Sequence, residues 1–283
     1  MSFVISRRRK VKNALMLGLC AFATALAVVV LVAIFGYVLV QGARFVSLSF
    51  FTRLPAPVGE TGGGFLNSLV GTGIMVGLAS AMSVPVGVLA GIYLAEFGRG
   101  WLARTVRFAN DTLNATPSIV AGLFAYTLIV LETRRFSAFA GSVALAVLMV
   151  PTITRTTEEM LRLVPRTLRE AALALGVPEW RMTLQIVLRA AAPGVITGIM
   201  LAIARVSGET AALLFTAFNN RFLSTSIDEP MSSVPVQVYA YAVAPYDDWH
   251  HQAWAGALVL VTLVALFSAA VRLATRSRHR AVG

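Results

Sequence analysis

The sequence predicts an all-α polytopic membrane protein with six transmembrane helices, and three observations lead to this fold class. The 283 residues are only 13% charged, whereas soluble domains carry about 25% charged residues. They are also 57% hydrophobic, and the mean hydropathy is +0.77. Six apolar stretches are close to or above the roughly 20 residues that a membrane-spanning helix needs.

The predicted spans are residues 14–40, 66–95, 113–131, 138–154, 190–217 and 254–273. The first exceeds the about 7–15 apolar residues of a secretory signal peptide, so we expect a retained helix. In the second span, Gly71, Gly73 and Gly77 have the small-residue spacing that permits tight helix packing. We expect a transmembrane domain at 14–274 between basic tails at 1–13 and 275–283.

The basic residues predict how these spans are oriented. Most of the 24 Lys and Arg residues lie before span 1, between spans 2 and 3, between spans 4 and 5, and after span 6. Positive residues are enriched on the cytoplasmic side of a bilayer. Both termini are therefore expected in the cytoplasm, and the topology explains the net charge of +11 without nucleic-acid binding.

The composition excludes several kinds of chemistry. Cys20 is the only cysteine, so the chain has no intramolecular disulfide and no cysteine-cluster metal site. Lys10 and Lys12 are the only lysines and precede the first span, so no P-loop lysine is available. We therefore expect no catalytic residue, no ATPase site, and no cofactor or metal bound by this chain.

The cytoplasmic loop at 155–189 predicts two short helices. Pro165 suits the first position of a helix, and Gly176 suits the C′ position that ends it. Pro178 begins a second helical stretch that continues into span 5. An amphipathic helix of this kind lies on a lipid surface or docks in the groove of a partner, and these residues leave both interpretations open.

Span 5 contains two charges in the segment Arg205-Val-Ser-Gly-Glu209. Arg205 lies near the middle of the apolar run, where a charge costs about 2.5–3.5 kcal/mol on insertion scales. At a separation of four residues, Arg205 and Glu209 are expected to share one helical face. The pair either joins two helices or serves transport, since a guanidinium binds oxyanions well.

Neighbouring groups are expected to complete an anion path around Arg205. Ser207 and Thr210 supply hydroxyl groups, and Gly208 leaves backbone exposed for close approach. We expect Glu209 to neutralise Arg205 in an empty path and to accept a hydrogen bond from the P–OH group of phosphate, which sulfate lacks at pH 7. Further candidates to line the path are Asn67, Asn114 and Ser118.

In the cytoplasmic loop, Glu170-Ala171-Ala172 is followed by Gly176 and then by Pro193. This pattern resembles the EAA loop of bacterial ABC-importer permeases, although Arg189 stands near a position where many family members carry proline. It implies a coupling helix that inserts into a separate ATP-binding subunit. The residues that it implies for coupling are Glu159, Arg166, Glu170, Ala171, Ala172, Gly176 and Trp180.

Longer stretches resemble the phosphate ABC importer permeases and together cover roughly residues 55–265. Span 5 is similar to their signature from Arg205 to Ala217, although Ala212 stands where one type of subunit usually has proline. The other matching segments are Thr61-Gly-Gly-Gly64, Asn67-Ser-Leu-Val-Gly-Thr-Gly, Pro117-Ser-Ile-Val-x-Gly122, Ser233-Val-Pro235-Val-Gln237-Val-Tyr239, Pro245 and Ala253-Trp254-Ala.

This resemblance implies a type I, MetI-like permease fold with a cytoplasmic coupling helix, located in a bacterial inner membrane. The implied partners are a second permease of the C type, a dimer of ATP-binding subunits carrying ATP and Mg, and an extracytoplasmic phosphate-binding protein. The implied function is import of inorganic phosphate by alternating access, driven by ATP hydrolysis on the partner.

Three functions from different classes stay open on the residues themselves. The first is such a permease, for phosphate or for another oxyanion such as sulfate or molybdate. The second is a membrane enzyme that uses Arg205 and Glu209 on a lipid phosphate, although no His or acidic residues converge as such a site requires. The third is an ion-coupled transporter working alone, which usually shows internal repeats.

Overall fold

A computed structural model describes residues 7–280, with side chains as far as residue 273. Residues 1–6 of the predicted N-terminal tail and residues 281–283 of the predicted C-terminal tail lie outside the described residues. In the described part the regular structure is helical, apart from one isolated bridge between Pro55 and Gly63. The predicted all-α class is confirmed.

The helices of the described part follow one another through short connections and one long segment at 215–233. They are α1 (Arg7–Gly42), α2 (Leu48–Thr52), α3 (Leu66–Phe97), α4 (Gly100–Ala115), α5 (Ser118–Thr133), α6 (Ala138–Arg162), α7 (Arg166–Ala174), α8 (Glu179–Ser207), α9 (Ala211–Leu214), α10 (Val234–Ala242) and α11 (Asp247–Arg280). π-helical turns lie at Tyr93–Phe97 in α3, Tyr126–Val130 in α5 and Met182–Val187 in α8.

The number of membrane spans agrees with the prediction of six. Within the described residues α1, α3, α6, α8 and α11 are long and apolar enough to cross a membrane. Helices α4 and α5 meet the same requirement as a pair bent by 105°. The predicted span at 113–131 corresponds to α5, which begins only at Ser118, because Pro117 has no N–H for the helix ladder and Thr116 before it takes an extended ψ of 131°.

Helix α6 is the centre of the packing and contacts α3, α4, α5 and α8. Two glycines of α3 permit close approach to α6, because a Cβ on Gly91 would lie 2.5 Å from Thr157 Cβ and one on Gly87 would lie 2.8 Å from Ile153 Cβ. α6 runs on to Arg162, past the predicted span end at 154, as a polar extension with i,i+4 ion pairs.

The three glycines near the start of α3, at positions 71, 73 and 77, differ in how closely they are packed. A Cβ on Gly71 would lie 2.0 Å from the carbonyl oxygen of Ser232, so close packing at this position is confirmed. Gly73 and Gly77 have no atom within 4 Å of such a Cβ and line a cavity, so the prediction of tight packing is wrong for them.

The segment at 215–233 covers the start of α6. The first N–H groups of a helix have no partner within the helix. Here Ser137 N donates to Thr216 O at 3.0 Å, Ala138 N to Glu229 O at 2.9 Å, and Phe139 N to Ile227 O at 2.8 Å. The long connection between α9 and α10 is therefore held in place by the helix end that it satisfies.

Candidate functional site

The predicted anion path coincides with a break in the helical structure. α8 ends at Ser207, Gly208 follows as its C-cap, and the short helix α9 begins at Ala211. Gly208 N and Glu209 N still bond back to Arg205 O and Val206 O, at 3.4 and 3.1 Å. The sequence predicts a continuous span at 190–217, and this prediction is wrong because the chain leaves the helix at Gly208, where a helix is weakest.

The break separates the two charges that the sequence places on one helical face. Arg205 lies in the last turn of α8, whereas Glu209 lies beyond its end and accepts a bond from Ala212 N at 3.4 Å, which caps α9. No ion pair joins Arg205 to Glu209 among residues 7–273. The predicted shared face and mutual neutralisation are therefore wrong for this conformation.

Arg205 is exposed at the surface of the subunit. Its Nη1 lies 3.5 Å from Asn114 Oδ1, at the outer limit of a hydrogen bond, and Asn114 is in the last turn of α4. Ser118 begins α5 just after the bend. The structure thus places a guanidinium beside the α4–α5 bend, with its donors open to a ligand.

Several large apolar side chains of α4 and α5 are exposed, among them Phe108, Leu113, Leu123 and Phe124. Large exposed apolar side chains on a membrane subunit are covered by lipid or by another protein.

Helix α9 is wedged in place beside the break. A Cβ on Gly122 of α5 would lie 2.6 Å from Ala212 Cα, and one on Gly141 of α6 would lie 3.1 Å from Leu213 Cδ2. Ala212 is fully buried. The cap formed by Glu209 is consequently fixed between α5 and α6.

Ser207 and Thr210 do not join Arg205 in one cluster. Ser207 donates to Ile203 O at 2.8 Å and lines an apolar cavity of about 480 Å³ between α3, α8 and α11. Thr210 is half-buried and precedes α9. The cavity is lined mainly by apolar groups and glycines, so it lacks the charged donors that a phosphate requires.

Asn67 lies away from the break, at the start of α3. Its side chain is buried, and Nδ2 donates to Asn220 O at 2.6 Å. Beside it, Ser68 bonds to Ser232 at 2.7 Å and to the side chain of Gln237. Burial raises the pKa of the neighbouring Tyr241 hydroxyl. The structure thus places Asn67 in a polar cluster that anchors the 215–233 segment to α3.

The cytoplasmic loop has the helix–turn–helix form predicted from the sequence. α7 begins after Pro165, which is the N-cap rather than the first helical residue. Gly176 takes a left-handed φ of 76°. Gly176 N donates to Leu173 O and Val177 N to Ala172 O, at 2.9 and 3.2 Å. This pair of bonds is a Schellman motif, so the predicted C′ position of Gly176 is confirmed.

Most residues that the sequence assigns to coupling lie on exposed surface. Glu159, Arg166, Glu170, Ala171, Gly176 and Trp180 are exposed, the last at 56%. Ala172 is only 5% exposed and packs inward on Leu161 and Val164. Ala172 therefore packs α7 against the rest of the subunit, while the six exposed coupling residues are accessible to a partner.

A network of charges beneath this loop was missed by the sequence analysis. Glu158 accepts from Arg107 at 2.8 Å and pairs with Arg162 at 2.6 Å, and Arg155 pairs with Asp111 at 2.9 Å. These bonds join α4 to the extension of α6. The i,i+4 spacing of Glu158 and Arg162 was visible in the sequence, but the pairing with α4 was not.

In the described residues no group of three or more His, Cys, Asp or Glu side chains is arranged to hold a metal ion.

Comparison with known proteins identifies the family of this arrangement. Residues 87–280 match the family model described as "binding-protein-dependent transport system inner membrane component". The chain is 46% identical to the phosphate transport system permease protein PstA of Haemophilus influenzae over 94% of each chain. It is 47% identical to PstA of Yersinia pestis, covering 82% of this chain and 79% of that protein.

The chain belongs to this family, as a PstA-type member. A solved structure of the methionine ABC transporter MetNI in an inward-facing conformation superposes with a TM-score of 0.63, covering 75% of this chain and 95% of that one. At 19% identity the likeness concerns the fold alone. The predicted MetI-like permease fold is confirmed, and the chain is a multi-pass membrane component of a transporter rather than an enzyme.

Proposed function

We propose that this PstA-type chain is the permease subunit of an ABC importer that moves inorganic phosphate into the cytoplasm. The observation that supports phosphate as the substrate is the 46% identity to a phosphate permease over nearly the whole of both chains. The geometry supports an anion path, because the guanidinium of Arg205 is open to a ligand at a helix break. Sulfate or molybdate would fit the same charge, and the lipid-phosphate enzyme is not favoured.

ATP-dependent uptake by the assembled complex in vesicles tests the substrate directly. We expect labelled phosphate to enter vesicles that contain the permeases, the ATP-binding subunits and the binding protein. Excess sulfate or molybdate is expected to leave this uptake unchanged. Import of either competitor in preference to phosphate would contradict the proposal.

An importer of this family works with ATP-binding subunits, a substrate-binding protein and a second permease. We infer that the second permease is of the PstC type, and that ATP and Mg are bound by the partner dimer while this chain holds no cofactor. From the distribution of the basic residues we infer that both termini lie in the cytoplasm. The apolar surface of α4 and α5 beside Arg205 is a suitable face for the second permease.

The proposed mechanism is alternating access. The binding protein delivers phosphate from outside, and closure of the ATP-binding dimer moves α7 and the helices attached to it. A nucleotide drives such a change only through its different affinity for the two states. Arg205 then offers phosphate a fork of donors, and Ser118 and Thr210 are proposed to add hydroxyl donors when the helices rearrange.

Glu209 is proposed to discriminate phosphate from sulfate. One carboxylate oxygen caps α9, and the other would accept a hydrogen bond from the P–OH group of phosphate. Glu209→Gln preserves the cap through its amide oxygen but replaces the second carboxylate oxygen by an NH2 donor. We therefore expect the sulfate concentration that half-inhibits phosphate uptake to fall about tenfold, the effect of roughly 1.4 kcal/mol. Phosphate uptake in a sulfate titration measures the change, and an unaltered inhibition curve would contradict this role.

The exposed turn after α7 is proposed to dock on the ATP-binding subunit. Leu175 is 84% exposed and Trp180 is 56% exposed, with Arg181 5.3 Å from the indole centroid. We expect Trp180→Ala to lower the affinity for that subunit by about tenfold or more, as large exposed aromatic anchors do. Co-purification of the subunits measures it, with Trp101→Ala on α4 as the matched control. Equal loss in both variants would contradict specific docking.

A further inference from the structure

A forked ion pair fixes the coupling helix α7 to the end of α3. Arg169 donates from Nη2 to Glu96 Oε1 at 2.7 Å and from Nε to Glu96 Oε2 at 3.3 Å. The two side chains are only 19% and 9% exposed. Two parallel bonds define the orientation of both partners, and burial reduces screening by salt.

The same guanidinium also donates hydrogen bonds to backbone carbonyl groups at the end of α6. Its Nη2 donates to Leu161 O at 2.8 Å, and its Nη1 donates to Val164 O. The last carbonyls of a helix have no partner within the helix, and a cation there is also favoured by the helix dipole. Arg169 therefore joins three helices through one rigid planar group.

Glu96 depends on this partner. It lies in the π-helical turn Tyr93–Phe97 that ends α3, where a carboxylate is disfavoured by the dipole of its own helix. A carboxylate that is largely removed from water also requires a paired cation. The end of α3 and the coupling helix are consequently stabilised as one unit.

The remaining contacts under α7 are apolar and less directional. Ala172, one turn from Arg169, packs in a cluster with Ile92, Leu161 and Val164. Apolar burial is roughly proportional to area and does not fix direction, so these contacts permit α7 to tilt. The forked pair with Glu96 resists tilting, because its bonds are directional.

We propose that Arg169 is the positioning residue that transmits the movement of α7 to α3 and α6 during transport. The inference rests on the proposed function. A displacement of α7 by the ATP-binding subunit moves both helix ends with it. α6 in turn packs against α9, whose start is capped by Glu209, and this path connects ATP hydrolysis to the break beside Arg205.

The ratio of phosphate imported to ATP hydrolysed in the reconstituted full complex tests this role. We expect Arg169→Ala to lower the ratio about tenfold, within the range of typical coupling free energies. Glu96→Ala is expected to lower it similarly, and the double variant to be no worse than either single one, because the pair acts as a unit. Arg169→Lys is expected to be intermediate, since an ammonium keeps the charge without the fork.

Arg104→Ala is the matched control, because this exposed arginine lies on α4, outside the pair, and its ratio is expected to equal that of the unmodified complex. Additive losses in the double variant would overturn the proposal. So would an unchanged ratio in assembled Arg169→Ala complexes, even if fewer complexes form, because the residue would then be structural only. Should the unmodified complex import another oxyanion instead, the proposed substrate fails, and the same ratio measured with that anion still tests Arg169.

Discussion

Arg205→Ala is expected to abolish most phosphate uptake while ATP hydrolysis by the complex continues. Hydrogen bonds to a charged group contribute about 1.5–3 kcal/mol each, so losing the guanidinium lowers uptake by about 10- to 100-fold. The side chain is exposed and bonded at most weakly to Asn114, so its removal leaves no buried charge without a partner. Parallel measurement of uptake and ATPase rate in vesicles checks this expectation.

The matched control for Arg205 lies on the same helix. Arg189 is also exposed on α8, far from the break, and Arg189→Ala is expected to leave uptake unchanged. Arg205→Lys is expected to retain part of the uptake, since it keeps the charge but not the planar fork. A complex with Arg205→Ala that transports normally would exclude this arginine from the path. Parallel loss of uptake and assembly would indicate a structural role instead.

Gly71→Ala is expected to destabilise the subunit by about 1–3 kcal/mol, the cost of overfilling a packed site. The new methyl would lie 2.0 Å from the carbonyl oxygen of Ser232, so the backbone before α10 must move. That movement also breaks the bond between Ser68 and Ser232. The apparent melting temperature of the purified complex is the measurement, and we expect it to fall.

Gly73→Ala is the control for this prediction, two residues along the same helix. No atom lies within 4 Å of its added Cβ, and alanine is favoured over glycine in a helix by about 1 kcal/mol. We therefore expect an unchanged or slightly higher melting temperature. Equal destabilisation by both substitutions would show that glycine is needed for flexibility rather than for close packing.

Much of the architecture could be predicted from local features of the chain. The six spans follow from apolar length, because backbone polar groups in lipid must be satisfied within a helix. The turn after α7 follows from Gly176, because glycine accepts the left-handed conformation without the strain that a side chain adds. The bend between α4 and α5 follows from Pro117, whereas the apolar run across Gly208 suggested a continuous helix where α8 ends.

The pairing of charges could not be predicted in the same way. The sequence suggests that Arg205 pairs with Glu209, but the helix ends between them and Glu209 caps α9 instead. Arg169 meets Glu96 across a separation of 73 residues. Sequence spacing reveals partners only inside one continuous helix, so neither arrangement was visible before the helices were packed.

The sequence by itself determined that this protein lies in a membrane, how many spans it has and the form of its coupling loop. These features depend on the length of apolar stretches and on the backbone preferences of neighbouring residues. Only the tertiary structure decided which charges are open and which are paired, namely the exposed Arg205 and the half-buried Arg169. The physical reason is that an ion pair depends on the distance and burial of both partners, and these are set when α3, α6 and α7 meet.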